Sequence, residues 1–419
     1  MIFKHCLTII ALSLSLSNYA VSAEQKHMGA NQAPLSEACS NPKNAATSIC
    51  SRTVSASFDD TGKLWIAWAQ NGHVYVQSST DQGHRFSIPT KVNTKAESIR
   101  AEGEGRPKIK TGPNGLIYVS WGQNLSKPHT GHIRFSRSIN KGKTFEKPIT
   151  INSDQNEISH RFDELLAGPD GSVALFWLDA RDMVAAKQKG LEYNGSALYY
   201  IWSEDGGATF QPNAKAADLT CQCCRIKGAI DIDGLPTVMW RHVFDDNIRD
   251  HALVNFKTWN DPGPVLRVSR ENWKIDACPH HGPGFSIGGH NGRYHAVWFN
   301  NADSAHGLFY AFSDDQGNSF SSPVNFGNYE LGASHPDVIA LNGQVFIAWN
   351  EFDGTQNRLM SMVSNDDGKT WESPRIVAGT ADQSDNPFLI SDGRQVYISW
   401  HIPKVAYHLY PAKEESIKP

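Results

Sequence analysis

A short apolar strand ending in tryptophan recurs seven times along this chain, and no other feature limits its possible folds as much. The segments read LWIAW to Trp68, IYVSW to Trp121, VALFW to Trp177, PTVMW to Trp240, YHAVW to Trp298, VFIAW to Trp349 and VYISW to Trp400. Successive tryptophans lie 53, 56, 63, 58, 51 and 51 residues apart. Seven of the 12 tryptophans thus fill one slot, each behind three or four apolar or β-branched residues, as a buried strand requires. Turn residues that tolerate positive φ precede most of them: Asp60-Thr61-Gly62, Pro113-Asn114-Gly115, Pro169-Asp170-Gly171, Asp233-Gly234, Asn342-Gly343 and Asp392-Gly393. These are hairpin signals. A period of this length marks a repeat architecture, in which no unit buries its apolar face alone. On length alone the 419 residues suggest two or three domains of about 150 residues. The repeats reduce that to one domain over residues 51–410, with a tail at 411–419.

A second motif, Ser-x-Asp-x-Gly-x-x-aromatic, follows most of the tryptophan strands. It occurs as Ser79/Asp81/Gly83/Phe86, Ser203/Asp205/Gly207/Phe210, Ser313/Asp315/Gly317/Phe320 and Ser364/Asp366/Gly368/Trp371, and with Asn for Asp as Ser138/Asn140/Gly142/Phe145. The chemistry suits a tight turn: Ser and Asp oxygens accept from nearby backbone N–H groups, Gly takes a positive φ, and the aromatic fills the gap between sheets. With these turns in register with the tryptophan strands, the chain resembles the Asp-box, or BNR-repeat, propellers of the sialidase superfamily over about residues 51–410. The resemblance implies an all-β fold, a β-propeller with about four strands per blade, in which the boxes are structural turns. Seven repeats argue for seven blades; six, the number in the sialidases themselves, is the alternative. The fourth repeat has no box after Trp240. The seventh ends soon after its third strand, so residues 24–50 are a candidate source of a closing strand that would remove an open edge.

Residues 1–23 read as a secretory signal peptide: Lys4 and His5, an apolar stretch from Leu7 to Leu16, and a small-residue cleavage site at Val21-Ser22-Ala23. The apolar run is far shorter than the roughly 20 residues of a membrane span. The expected location is the periplasm or the outside of the cell, where disulfides persist. Cys6 would leave with the signal, reducing seven cysteines to six. The full chain carries 39 basic and 43 acidic residues, net −4. No basic excess points to nucleic acid. With 40% apolar and 10% aromatic residues the chain is not a disordered one. No further stretch is apolar enough to span a bilayer, and a monomer is expected.

Inner propeller strands line the axial channel, so the residue that leads into each one faces the usual ligand site. Aligned on the tryptophan slot, these rim residues are Arg52, Arg106, Arg161, Arg225, His281, His335 and Asn386. A cationic rim suits a carboxylate, phosphate or sulfate, and the expected ligand is an anionic small molecule or acidic glycan. The resemblance implies, for a working sialidase, three arginines on the sugar carboxylate, a Tyr nucleophile activated by Glu, and an Asp acid/base. Tyr329 with Glu330, Asp163 with Glu164, and Glu102 with Glu104 are the candidates here. Arg249-Asp250 reads as a structural ion pair.

The cysteines carry a sharper pattern. Thr220-Cys221-Gln222-Cys223-Cys224-Arg225 leads into the fourth inner strand, and Cys278-Pro279-His280-His281-Gly282-Pro283 leads into the fifth. Both flank the repeat without a box. The two motifs resemble an exported bacterial subfamily of sialidase-like propellers carrying Cys-x-Cys-Cys-Arg and Cys-Pro-His-His-Gly-Pro. Cys39 and Cys50 are candidates for one disulfide. They could instead reach the cluster and make three bridges, whereas pairing within Cys221, Cys223 and Cys224 strains disulfide geometry. The other reading is a metal or redox site between blades four and five. Cys221, Cys223, Cys224, Cys278, His280 and His281 offer soft and borderline ligands, which favour copper as Cu(I). Structural zinc usually shows C-x2-C spacing, absent here. Three functions therefore stand: a binding protein with a Cys/His metal or redox site beside an Arg-lined anion pocket, a sialidase-like glycoside hydrolase, or a disulfide-stapled scaffold for a protein partner.

Overall fold

A computed structural model describes residues 36–41, 43–277 and 279–413 of the chain. The expected signal peptide, the rest of residues 24–35, Cys278 and residues 414–419 lie outside the described residues. Seven small antiparallel sheets form a seven-bladed β-propeller, as the repeat count predicts. Blade one is β1 (Val54–Phe58), β2 (Leu64–Gln70), β3 (His73–Ser79) and β4 (Thr90–Lys91); blade two is β5 (Lys108–Thr111), β6 (Ile117–Asn124), β7 (Gly131–Ser138) and β8 (Ile149–Thr150). Blade three is β9 (His160–Ala167), β10 (Val173–Asp179), β11 (Ser196–Ser203) and β12 (Ala214–Thr220); blade four is β13 (Lys227–Ile230), β14 (Pro236–Arg241), β15 (His251–Asn255) and β16 (Val265–Arg267). Blade five is β17 (Gly284–Gly288), β18 (Arg293–Ala302), β19 (Ala305–Ser313) and β20 (Val324–Phe326); blade six is β21 (Ser334–Leu341), β22 (Gln344–Phe352), β23 (Asn357–Ser364) and β24 (Arg375–Thr380). Blade seven has three strands, β25 (Phe388–Ser391), β26 (Val396–Ile402) and β27 (Ala406–Pro411).

Every repeated tryptophan lies on the second strand of its blade and is at most 1% exposed. Each indole N–H still finds an acceptor, among them Glu97 for Trp121, Asp179 for Trp177 and Glu351 for Trp349. That combination of a buried ring and a satisfied donor explains why tryptophan fills the slot. The buried apolar residues fall into seven clusters, and each cluster joins two neighbouring blades. One of them packs Val54 and Trp68 of blade one with Tyr397 and Tyr407 of blade seven, which closes the ring. The described part of the N-terminal segment contributes no strand. It straps the seam instead: Lys404 N–H donates to Ile49 O at 3.1 Å, and Gln70 Nε2 to Cys39 O at 2.9 Å. The Cys39–Cys50 disulfide holds that strap together.

The five Ser/Asp turns repeat one hydrogen-bond pattern. The Ser hydroxyl donates to the Asp or Asn side chain at 2.7–3.0 Å and accepts from the Gly N–H at 2.8–2.9 Å. The glycines all have φ between 74° and 87°. The aromatic of each turn reaches back to the preceding blade, as Phe210 does to Phe135 at 5.1 Å and Trp371 to Tyr310 at 4.7 Å. Blade four, without the motif, does the same job with other residues. Its Phe256 meets Tyr200 of blade three at 4.9 Å, and Trp259 lies parallel to Trp202 at 6.4 Å.

Candidate metal and axial site

Strand alternation puts the rim residues and the connections between second and third strands on one face, and the Ser/Asp turns on the opposite face. The rim face is irregular where the other is repetitive. Bulges interrupt β9 opposite Phe176/Leu178 and β21 between Ser334 and Asp337. Phe162 and His335, within those bulges, have φ of 56° and 52°. Left-handed backbone at bulky residues costs about 1–3 kcal/mol and persists only where its surroundings impose it. Bulges of this kind re-aim side chains: here His335 meets Glu104 of the rim, while Phe162 packs into the core shared by blades three and four.

The rim is less openly cationic than its sequence implies, because the protein supplies its own carboxylates. Asp385 fills the Arg106 fork with two bonds, at 2.5 and 2.6 Å, and both side chains are almost fully buried. Arg225 gives one arm to Glu104 Oε1 at 3.3 Å and two others to the carbonyls of Pro283 and Pro336, at 2.8 and 2.6 Å. His335 Nδ1 meets the same Glu104 oxygen at 2.9 Å, and Asn386 Nδ2 donates to it at 3.4 Å. Glu104 thus gathers rim residues from blades four, six and seven. Burial alone would raise its pKa, but Arg225, His335 and Arg106 outweigh burial and hold it well below the usual carboxylate range. Burial pushes Asp385 the other way, up to about 6, against the lowering effect of Arg106. His281 is buried, stacked on Phe299 at 4.2 Å and beside His335 at 4.7 Å. Arg161 meets His129 at 3.3 Å, and Arg52 sits half-buried ahead of β1.

The Tyr329–Glu330 pair does not form. Tyr329 donates its hydroxyl to Asn301 at 2.8 Å rather than to Glu330, and both Tyr329 and Glu330 are exposed. Asp163 is buried and accepts from Ser120 at 2.6 Å, and burial raises its pKa. Glu104 is committed to the rim network described above.

The cysteines of the fourth lead-in do come together. The sulfurs of Cys221, Cys223 and Cys224 all lie within 4.8 Å of one another, and all three residues are buried. Cys221 is 3.7 Å from each of the other two. A disulfide needs about 2.05 Å, so these are non-bonded contacts. Two thiolates bound to one ion at about 2.3 Å with a tetrahedral angle stand about 3.8 Å apart, close to the observed spacing. Hydrogen bonds from Cys223 and Cys224, then the Arg241 and Arg249 guanidinium charges, hold Cys221 well below the usual thiol range despite its burial. Burial and the neighbouring Cys221 push Cys224 up. Thiols that bind a cation as thiolates release their protons, and Cys221 gives up its proton more readily than an ordinary thiol.

Its position differs from the expected one. The thiols pack into the core cluster shared by blades three and four, rather than at the junction of four and five. The reason is the crossover itself: Cys221 directly follows β12, the outer strand of blade three, and its N–H donates to Arg241 O of blade four at 2.8 Å, which holds the loop in that seam before β13 begins. The lead-in to blade five approaches from the other side, where His280 Nδ1 meets Cys223 O at 3.1 Å. A Cβ on Gly282 would run into the Arg225 side chain and backbone, so only glycine lets the two loops meet this closely. Cys278 lies outside the described residues. Since Cys39 and Cys50 pair with each other, they do not staple the cluster.

Several residues at the site were silent in the sequence. Arg249 does not pair with Asp250, which binds Arg267; Arg249 Nη1 points at Cys221 Sγ, 3.5 Å away. Helix α1 (Arg181–Gln188) brings Met183 to the same loop. The only hint was the 63-residue gap between Trp177 and Trp240, the longest in the series.

No protein-family model matches this chain, and no curated protein matches it by sequence. Solved structures do resemble it. An ulvan lyase of polysaccharide lyase family PL25, bound to -[GlcA(1-4)Rha3S]-, is 13% identical over 85% of this chain and 91% of its own, with a TM-score of 0.57. The lectin BP39L from Burkholderia pseudomallei is 13% identical over 87% and 98%, also at 0.57. The Hadza microbial sialidase Hz136 is 14% identical over 84% and 76%, at 0.50. These likenesses establish the propeller fold that lectins, lyases and sialidases share; fold alone does not carry a function.

Proposed function

We propose that this protein is an exported propeller that binds a thiophilic metal ion, copper as Cu(I) foremost, on the Cys221–Cys223–Cys224 loop. The observation that carries this reading is the meeting of three buried sulfurs within 4.8 Å, with the Arg249 guanidinium 3.5 Å from Cys221 Sγ. Burying three cysteine sulfurs side by side has no structural benefit that apolar side chains would not supply better, whereas a soft ion turns the same arrangement into a bound complex. Arg241 and Arg249 offset the negative charge that three thiolates and a monovalent ion would carry. At Arg106 and Arg225 the axial rim would accept an acidic ligand only by displacing Asp385 or Glu104, so anion binding is the secondary role in this reading.

The test uses mature protein purified from the periplasm without added chelator. Metal analysis should find about one equivalent of copper per chain, and Cys223→Ser combined with Cys224→Ser should abolish it while leaving the fold intact by circular dichroism. Apo protein that takes up no Cu(I) after full reduction would defeat the proposal. A fluorogenic sialoside assay run in parallel, with Arg106→Ala and Arg161→Ala as comparisons, should show no turnover above blank.

A further inference from the structure

The rim face has two long connections between second and third strands, and both end at the thiol loop. In blades one and five this connection is only residues 71–72 and 303–304, and in blade six residues 353–356. In blade three it runs over residues 180–195 and contains α1; in blade four it runs over residues 242–250. The first brings Met183, whose Sδ accepts from Gln222 Nε2 at 3.3 Å. The second brings Arg249 to Cys221. Gln222 is exposed while Cys221 and Cys223 on either side of it are buried, so the Met183 thioether meets the thiol loop at its solvent-facing edge.

Resting on the metal-site reading above, we infer that Met183 is the ligand through which the ion enters, and that the ion is monovalent, Cu(I) or Ag(I). Thioethers bind soft monovalent ions and bind Zn(II) poorly. A thioether outside and three thiols inside make a path of rising affinity, along which Cu(I) passes from its donor to Met183 and then to the thiolates. The ion stays Cu(I) throughout, and the protons displaced from the thiols pass to water. Methionine also suits a transient role because its unbranched side chain adapts to different positions of the ion. The supplier must therefore be a Cu(I) complex able to exchange one ligand at an exposed thioether.

Stopped-flow transfer tests this. Reduced mature protein is mixed anaerobically with Cu(I)–bicinchoninate, and separately with Zn(II) bound to a chromophoric chelator. Met183→Ala and Met183→Leu should each slow Cu(I) uptake about tenfold, with the final extent of loading and the Zn(II) rate unchanged. Wild-type uptake rates in both variants would overturn the inference. So would recovery of the rate in Met183→Leu alone, which would make the edge a matter of bulk, or an equal slowing of Zn(II). Failure of the wild-type chain to take up Cu(I) at all would remove the metal site itself, and that result is distinct from the others.

Discussion

The two faces of the ring are built on opposite principles. On the face of the Ser/Asp turns, one solution is used five times, and each turn satisfies itself within five residues. On the rim face the lead-in residues make different contacts from blade to blade, and buried charged contacts join residues far apart in the chain, as Arg106 with Asp385 or Glu104 with His335. Redundancy spreads the loss when one turn is damaged. Single-copy, buried, charged contacts do not, and a rim built of them can be reshaped blade by blade while the ring stays closed.

That contrast can be broken by substitution, and the largest effect should come from the rim. Arg106→Ala leaves Asp385 buried without its partner and should cost about 3–5 kcal/mol in urea unfolding, whereas Arg106→Met with Asp385→Leu should recover most of it. With Arg106 gone, the folded pKa of Asp385 stands still further above its unfolded value of 3.8. The loss should therefore shrink as pH falls from about 7 toward about 5, where the buried acid takes up its proton. An equal loss at both pH values would show that the pair contributes through packing alone.

A smaller effect is expected at Gly282→Ala, where a methyl group has no room against Arg225. Forcing the two lead-in loops apart should cost about 1–3 kcal/mol and weaken Cu(I) binding in a competition titration. Unchanged copper affinity would mean that the blade-five loop plays no part in holding the thiols. On the opposite face, Asp315→Ala should cost only about 1 kcal/mol, because Gly317 N–H keeps its bond to Ser313; a loss as large as that of Arg106→Ala would erase the distinction between the faces.

The finest test concerns pH. Glu104 is held below its unfolded pKa of 4.5, so its contribution is present above that value and is lost as pH falls below it. Glu104→Gln should flatten the decline in stability between about pH 5 and about pH 3, measured by chemical denaturation at each pH. An unaltered slope would show that Arg225 and His335 do not hold the carboxylate ionised.

Much of this was legible beforehand, and the reason is locality. The tryptophan slot and the Ser/Asp turns are read from short windows, because a buried strand and a tight turn each demand particular residues at fixed spacing. Cys39 with Cys50 belonged to the same class, being only 11 residues apart. The alignment on Trp240 also placed Cys221, Cys223 and Cys224 together ahead of β13. It did not reveal Asp385 as the partner of Arg106, since 279 residues separate them. Nor did it reveal Met183, which arrives from an insertion with no repeat to register it against. Tyr329 and Glu330 were adjacent in sequence, but the hydroxyl turned to Asn301 instead.

By itself the sequence determined a seven-part ring, its turns, its buried tryptophans and the presence of a thiol-rich loop. Those follow from backbone conformation and strand burial, which neighbouring residues dictate. Tertiary structure decided which seam the thiols enter, which guanidinium faces them, and that two of the rim arginines, Arg106 and Arg225, are met by carboxylates of the chain's own. Those depend on how a closed ring brings distant blades to one axis, where burial forces every charge to find a partner.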